Sequence, residues 1–280
     1  MNVPRRLARS GAMLALLAFT ALALLPIYWM VLAALRPKEA LMRWPPEFLP
    51  NPAEITLSTA RSLVAEHPVA QWLGNALVIA VATTVLTVIV AALAGYALSR
   101  SRRMWSRGMG YLVLIAKMLP GTLLVIPLYV IFHSLGLLQG HLSMLAVILA
   151  NMSFAVPFAT WMMKAFYDGV PVEIEEAALV DGAGVLRAVF DVVLPVTLPA
   201  LAAVSVYVFI VSWNDFIFAR TFLPGGEMTT IAAASTQFLS DIEMVWNKVM
   251  IVATLAALPV LAFFLLLERY FVAGLVRGHH

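Results

Sequence analysis

Long stretches without a charged residue set the limits on how this chain can fold. No Asp, Glu, Lys or Arg interrupts Gly11 to Leu35 or His67 to Ser99, and between Gly108 and Met163 the one charge is Lys117. A helix needs about 20 mostly apolar residues to cross a bilayer. The whole chain is 62% hydrophobic and 12% charged, and a soluble domain cannot cover that much apolar surface. We therefore predict an all-α membrane protein.

Polar breaks between the apolar stretches predict six transmembrane helices in a single transmembrane domain that covers residues 1–280. The predicted spans are 11–35, 73–98, 110–132, 142–166, 196–220 and 249–267. Within the second span, the spacing Ala91-x-x-x-Gly95 offers a small face for close helix packing. A basic start before an apolar run is also typical of a signal peptide, but Gly11 to Leu35 is longer than a signal core.

The distribution of positive charge predicts the orientation. With six spans both termini lie on one side, together with the cluster Arg100 to Arg107 and the polar segment 168–195. That side carries eleven Arg and Lys residues, against six in or beside the two predicted external segments. These are the proline-rich segment 36–66 and the segment 221–246, which contains the turn Pro224-Gly225-Gly226. The positive-inside rule therefore favours cytoplasmic termini and a cytoplasmic 168–195 segment. On this interpretation the arginine cluster is a topology signal rather than a ligand site.

The polar segment 168–195 contains two short predicted helices joined by a glycine. Pro171 suits a first helical turn, where its missing N–H has no partner in any case. Gly182 offers a left-handed stop for the first helix. A second helix is predicted from about Ala183 to Leu194, ending at Pro195 because a proline disfavours helix in the residue before it.

The same segment resembles the EAA motif of permease subunits of ABC importers. That motif places Glu-Ala-Ala, three residues, Gly, nine residues and then Ile-x-Leu-Pro. Here the matching positions are Glu176, Ala177, Ala178, Gly182, Val192, Leu194 and Pro195, with valine in place of isoleucine. The triplet Asp181-Gly182-Ala183 is also typical of carbohydrate-uptake members of the maltose-transporter type.

Two further segments resemble the same family. Trp213-Asn214-Asp215-Phe216 is similar to a Trp-Asn-Asp/Gln segment, and Glu268 to Leu275 is similar to a closing Gln-Arg-x-Phe-Val-x-Gly-Leu. The resemblance implies a type I ABC importer permease fold, a multi-pass protein of the bacterial inner membrane. It also implies a cytoplasmic ATPase dimer, a second homologous permease that completes a heterodimer, and an extracytoplasmic substrate-binding protein. ATP and Mg would lie on the ATPase, and this chain would carry no cofactor and catalyse no reaction.

The resemblance assigns the 168–195 loop to coupling with the ATPase. A joint of this kind needs small residues for close seating, acids to pair with a partner, and a fixed bend. These needs are met by Ala177, Ala178 and Ala183, by Glu176 and Asp181, and by Gly182, with Leu194 and Pro195 closing the motif. The competing interpretation is that Glu176 and Asp181 only cap or solvate their helices.

Four residues are candidates for the substrate pathway. Lys117 lies deep in an apolar run, where an ionisable side chain usually faces a cavity or a partner. It either lines the path or pairs with an acid of the partner permease. Asn214 and Asp215 either contact substrate or make an interhelical hydrogen bond or a helix-end cap. Trp213 either stacks on a sugar or packs in the bundle.

Other classes of function fit less well. The chain has no cysteine, no phosphate-binding loop, no catalytic or metal-ligating cluster and no nucleic-acid motif. A stand-alone secondary transporter or channel is the alternative, but it would carry internal repeats or more intramembrane acids. Sugars, oligosaccharides, polyols and glycerophosphodiesters remain open as the solute.

Overall fold

The computed structural model describes residues 3–49, 51–101, 120–239 and 246–277, together with Gly108 and Ile115. All regular elements in these ranges are helical. The α-helices are α1 (Val3–Ala34), α2 (Lys38–Leu41), α3 (Ser58–Glu66), α4 (Val69–Arg100), α5 (Gly121–Ser134), α6 (Leu142–Asp168), α7 (Val172–Val180), α8 (Val185–Arg187), α9 (Leu194–Val196), α10 (Leu198–Trp213), α11 (Ile217–Phe222), α12 (Ile231–Ala234) and α13 (Trp246–Arg277). Short 3₁₀ helices lie at Pro52–Glu54 and Ser235–Phe238, and a π-helix lies at Ala188–Val193.

Several of these helices can cross a bilayer. In the described ranges, α1, α4, α6 and α13 are long and apolar enough to do so. The pair Val185–Val196 and Leu198–Trp213 passes the same test together but bends by 74°, so it adds a fifth crossing if it is one span. The predicted third span, 110–132, overlaps α5, which has 14 residues. Lys117 lies outside the described residues.

The chain divides into two compact units. One consists of Met1–Val69 and Ser235–Ala257, and the other consists of Ala70–Ala234 and Leu258–His280. The second unit contains α4, α6 and α10, and it therefore contains most of the predicted spans and the whole 168–195 loop.

A buried arginine organises the first unit. Arg36 follows α1 and is 1% exposed. Its guanidinium donates to the carbonyl oxygens of Glu47 and Leu49, each at 2.7 Å, and so holds the proline-rich segment against the end of the helix. In the same unit, Lys248 donates to Glu66 at 2.8 Å, and this hydrogen bond holds the pKa of Glu66 below its ordinary value.

In the second unit, the segment after α11 folds back on the start of α4. Gly225 and Gly226 have φ of +92° and +62°, which confirms the predicted turn. The indole N–H of Trp72 donates to the Gly226 carbonyl at 2.9 Å. The amide of Asn75 donates to the Thr229 carbonyl at 3.0 Å. Ile231 beyond the turn is fully buried, so much of this predicted external segment is packed rather than open.

The helices α4 and α6 approach each other closely at Gly95. A Cβ on Gly95 would lie 2.7 Å from the Met163 Cβ, 2.9 Å from the Lys164 nitrogen and 3.1 Å from the Thr160 oxygen. Ala91, one turn earlier, is 0% exposed. The small face predicted from the Ala91-x-x-x-Gly95 spacing is therefore confirmed as a helix-packing surface.

Replacing Gly95 by alanine will destabilise the protein, because two of the three nearest atoms belong to the α6 backbone and cannot move aside. We expect a lower midpoint of thermal unfolding in detergent, corresponding to roughly 1–3 kcal/mol. Gly74→Ala is the matched control, because it lies on the same helix with nothing within 4 Å of its Cβ position. It should leave the midpoint unchanged or raise it, since alanine favours helix. Equal midpoints for the two variants would contradict the close-packing interpretation.

Candidate functional site

The first helix of the polar loop ends at the predicted glycine. After α7, Gly182 has φ of +87°. The N–H of Gly182 bonds to the Leu179 carbonyl at 3.1 Å, and the N–H of Ala183 bonds to the Ala178 carbonyl at 3.0 Å. These two bonds form a Schellman motif, which satisfies carbonyls that the helix end leaves free. The prediction of a left-handed stop at Gly182 is therefore confirmed.

The second helix of the loop differs from the prediction. The sequence predicts an end at Pro195, but the helical path Val185–Val196 continues through that proline. Just before the proline the chain forms a π-helix, in which the Leu194 N–H bonds to the Val189 carbonyl. This wider turn gives the proline ring space that an α-helical turn lacks. The helix ends instead at Thr197, whose hydroxyl donates to the carbonyls of Val193 and Leu194 at 3.0 and 3.1 Å.

One side of the 168–195 loop is buried, and the opposite side is exposed. Val193 is 0% exposed and lies in a core cluster with Tyr167 and Ala200. The opposite side presents large apolar side chains, with Val180 86% and Leu186 74% exposed. Among the predicted coupling residues, the exposed ones are Glu176, Ala177, Asp181, Gly182 and Pro195, and the partly buried ones are Ala178, Ala183 and Leu194. Exposed acids beside exposed apolar side chains form a surface suited to a protein partner.

Sequence reasoning missed the role of Arg100 and Glu175. Arg100 was assigned to the topology cluster, yet its Nε–H donates to the Glu175 carboxylate at 2.6 Å. Glu175, which precedes the EAA motif, is 7% exposed, whereas Glu176 is exposed. The two neighbouring acids therefore have different environments: Glu175 faces the membrane helices, and Glu176 faces solvent.

A second polar feature lies between α6 and α10. It is a cleft of about 150 Å³ lined by Gly121, Asn151, Phe154, Val211, Asp215, Ile217 and Phe218. Asp215 accepts hydrogen bonds from the backbone N–H groups of Phe218 and Ala219, both at 3.1 Å. It also accepts a longer bond from the Asn151 amide at 3.4 Å. The Asp215 carboxylate therefore caps the beginning of α11. As a result, the predicted fifth span, 196–220, is interrupted after Trp213.

The three pathway candidates that the structure describes, Trp213, Asn214 and Asp215, have different surroundings. Asp215 lines the cleft. Asn214 is exposed, and its amide donates to the Ile210 carbonyl at 2.8 Å. Trp213 is 3% exposed and stacks on Phe209 with ring centroids 5.8 Å apart. Sequence reasoning missed Asn151, although a single Asn inside an apolar helix is the type of signal that marks an interhelical contact.

Comparison of the sequence with known proteins identifies a matching family and several related proteins. Residues 87–277 match the family model described as the binding-protein-dependent transport system inner membrane component. The inner membrane ABC transporter permease protein YcjP of Escherichia coli is 31% identical over 277 residues, covering 98% of this chain and 97% of that protein. The maltodextrin transport system permease protein MdxG of Bacillus subtilis is 34% identical over 226 residues, covering 80% of each.

The fold is also similar to that of a solved structure. A chain from the crystal structure of a bacterial ABC transporter involved in the import of the acidic polysaccharide alginate has a TM-score of 0.75 and 21% identity. The similarity covers 97% of this chain and 98% of that chain. It supports a type I importer permease fold for the helical arrangement described above.

Replacing Asp215 by alanine will weaken the start of α11, because two backbone N–H groups lose their acceptor. Loss of a capping side chain costs about 0.5–2 kcal/mol, and we expect a lower midpoint of thermal unfolding in detergent. Asn214→Ala is the control, since the Asn214 side chain is exposed and bonds only one turn back on its own helix. If the two variants unfold at the same temperature, Asp215 does not stabilise the break between α10 and α11.

Proposed function

The chain belongs to the family of binding-protein-dependent transport system inner membrane components, and on that basis we propose that it forms half of the translocation pathway of an ATP-driven importer for a sugar or a sugar-like solute. It is a multi-pass permease subunit of an ABC importer in the bacterial inner membrane. Its role is transport rather than catalysis. Membership of this family argues against a stand-alone secondary transporter or channel.

The observation that carries the proposal is the shape of the 168–195 loop. Its EAA residues sit on a helical hairpin whose outer side presents Glu176, Asp181, Val180 and Leu186. Its inner side is anchored by Val193 in the core cluster that contains Tyr167 and Ala200. A hairpin with one fixed side and one free side can transmit a partner's movement to the membrane helices. We propose that a cytoplasmic ATPase dimer, which would bind ATP and Mg, seats on the free side.

The remaining architecture follows from this assignment. We propose six spans with both termini in the cytoplasm, which places the loop on the ATPase side. A second, homologous permease would complete the pathway as a heterodimer, and an extracytoplasmic binding protein would deliver the solute. Lys117, Asn214, Asp215 and Trp213 remain candidates for the pathway, facing either the solute or the partner permease.

A sugar or sugar-like solute is supported by two observations. The relative MdxG is, by its name, a maltodextrin transport system permease protein. In this chain, the cleft beside α10 offers the amide of Asn151 and the carboxylate of Asp215 among apolar and aromatic side chains. Amide and carboxylate groups can bind hydroxyl groups, and aromatic rings can pack against the apolar faces of a sugar.

Purification of the chain from its native membrane tests the assembly. We expect an ATPase, a second permease and a substrate-binding protein to copurify, and the purified complex in proteoliposomes to import a sugar only when ATP is present. Recovery of the chain as a self-oligomer that transports without ATP would contradict the proposal. If a binding protein copurifies, its binding to a panel of sugars, polyols and glycerophosphodiesters would identify the solute class.

Replacing Gly182 by arginine should leave membrane insertion intact but uncouple ATP hydrolysis from uptake. The substitution places a non-glycine residue at φ of +87° and adds a bulky cation to the free side of the hairpin. Strain of this kind costs on the order of 1–3 kcal/mol. Uptake and ATP hydrolysis are measured on the same proteoliposomes.

Gly140→Arg is the matched control for this variant. Gly140 also has positive φ, +51°, and nothing lies within 4 Å of its Cβ position, but it lies in the turn between α5 and α6. Similar backbone strain away from the loop should leave the ratio of ATP hydrolysed to solute imported unchanged. Normal uptake by Gly182→Arg, or equal uncoupling by both variants, would count against coupling through the EAA loop.

A further inference from the structure

Both carboxylate oxygens of Glu175 are held by side chains of α4. The Nε–H of Arg100 donates to Oε1 at 2.6 Å, and Nη2 of the same guanidinium forms an ion pair with that oxygen. The hydroxyl of Tyr96, one turn earlier on α4, donates to Oε2 at 2.9 Å. Because Glu175 lies in α7, these contacts tie the first coupling helix directly to the end of a membrane helix.

The same guanidinium also holds the end of α6. Nη1 of Arg100 donates to the Tyr167 carbonyl at 3.0 Å, and Nη2 donates to the Val170 carbonyl at 3.2 Å. One side chain therefore joins α4, the last turn of α6 and α7. This geometry requires the planar, forked donor set of arginine, because a lysine ammonium is a point charge that cannot reach the carboxylate and both carbonyls in the same way.

The ring of Tyr96 adds a packing contact to this network. It lies edge-on to the ring of Tyr167, with centroids 5.7 Å apart, and the Arg100 guanidinium lies 5.9 Å from its centroid. Tyr167 is 1% exposed. The polar contacts are therefore backed by buried aromatic surface, which restricts the rotamers of the side chains involved.

We propose that Tyr96, Arg100 and Glu175 form a clasp that makes α7 move as one body with the ends of α4 and α6, so that the clasp determines how tightly ATP hydrolysis is coupled to uptake. This inference rests on the proposed function of the loop. Arg100 and Tyr96 are positioning residues in this scheme, since they act through Glu175 and α7. The exposed side of α7, including Glu176, stays free for the ATPase.

A purely structural ion pair is the competing explanation. Breaking a buried pair leaves an uncompensated charge and lowers the amount of folded protein. Such a loss would reduce uptake and ATP hydrolysis together, in proportion to the complex that remains. A clasp that transmits movement predicts a different result, because ATP hydrolysis would continue while uptake falls.

The first test measures ATP hydrolysed per solute imported, at equal amounts of assembled complex in proteoliposomes. Arg100→Lys and Glu175→Gln should each raise this ratio by roughly tenfold, as expected for weakening hydrogen bonds to a charged group. Tyr96→Phe removes one hydroxyl and keeps the ring, and it should raise the ratio by about threefold. Lys248→Gln is the matched control, because it removes an ion pair with Glu66 that includes no residue of α4, α6 or α7, and it should leave the ratio unchanged.

The second test does not depend on transport. The chain has no cysteine, so spin labels can be placed at Leu93→Cys on α4 and Val172→Cys on α7, where both native side chains are exposed, by 57% and 39%. In the assembled complex, the distribution of distances between the labels should be narrow. It should broaden in the Glu175→Gln and Tyr96→Phe backgrounds and stay narrow in the Lys248→Gln background.

The outcomes of the two tests are distinguishable. A wild-type ratio in the Arg100 and Glu175 variants, or less complex with an unchanged ratio, overturns the clasp as a coupling element. An unchanged distance distribution overturns it as a rigid connection. If the wild-type complex imports nothing in response to ATP, the proposed function fails, and the distance measurement still decides whether the clasp holds α7 to α4.

Discussion

The close approach of the α4 and α6 backbones at Gly95 is the contact on which the rest of the second unit depends. It fixes the two helices side by side over their last turns, so that Arg100 at the end of α4 comes within hydrogen-bonding distance of the Tyr167 carbonyl in α6. Ser99 likewise donates to Asp168 at 2.7 Å. The polar loop then begins from this platform and returns to it through Glu175. A larger residue at position 95 would separate the helices and move every one of these donors relative to its acceptor.

At two breaks in the helices of this unit, a side chain bonds to the backbone at the helix end. Thr197 bonds to the carbonyls of Val193 and Leu194 at the 74° bend before α10. Asp215 accepts the first N–H groups of α11 after α10 stops. Unsatisfied backbone groups are costly in lipid, so irregular backbone is tolerated there only when the protein itself supplies partners. These side chains permit sharp changes of direction inside a predominantly apolar chain.

Features that depend on neighbours in sequence could be predicted, and features that depend on distant partners could not. The positions of α4 and α6 followed from uninterrupted apolar runs, and the stop at Gly182 followed from the left-handed conformation that glycine allows. A helix-end cap is one of the roles that the sequence predicts for Asp215, but the break after Trp213 could not be placed, because the Asn214-Asp215 dipeptide could also have continued a helix. The interpretation of Arg100 failed for a similar reason. Arg100 lies in a cluster of arginines, and such a cluster indicates a topology signal. Only the contact with Glu175 distinguishes Arg100 from the other arginines.

The two halves of the 168–195 loop reach the membrane by different routes, and this difference bears on how a movement would be transmitted. The helix α7 is held by side-chain contacts to α4 and α6, whereas the path from Val185 to Val196 leads through the bend at Thr197 into α10 as continuous chain. Gly182 separates the halves, with a left-handed conformation and no atom within 4 Å of its Cβ position. A push on the free side of the hairpin would therefore act on two sets of membrane helices through one ion-pair network and one covalent bend. Hydrogen bonds can rearrange, whereas the covalent chain through Thr197 cannot break. The side-chain contacts of α7 are therefore the connection through which coupling can be adjusted.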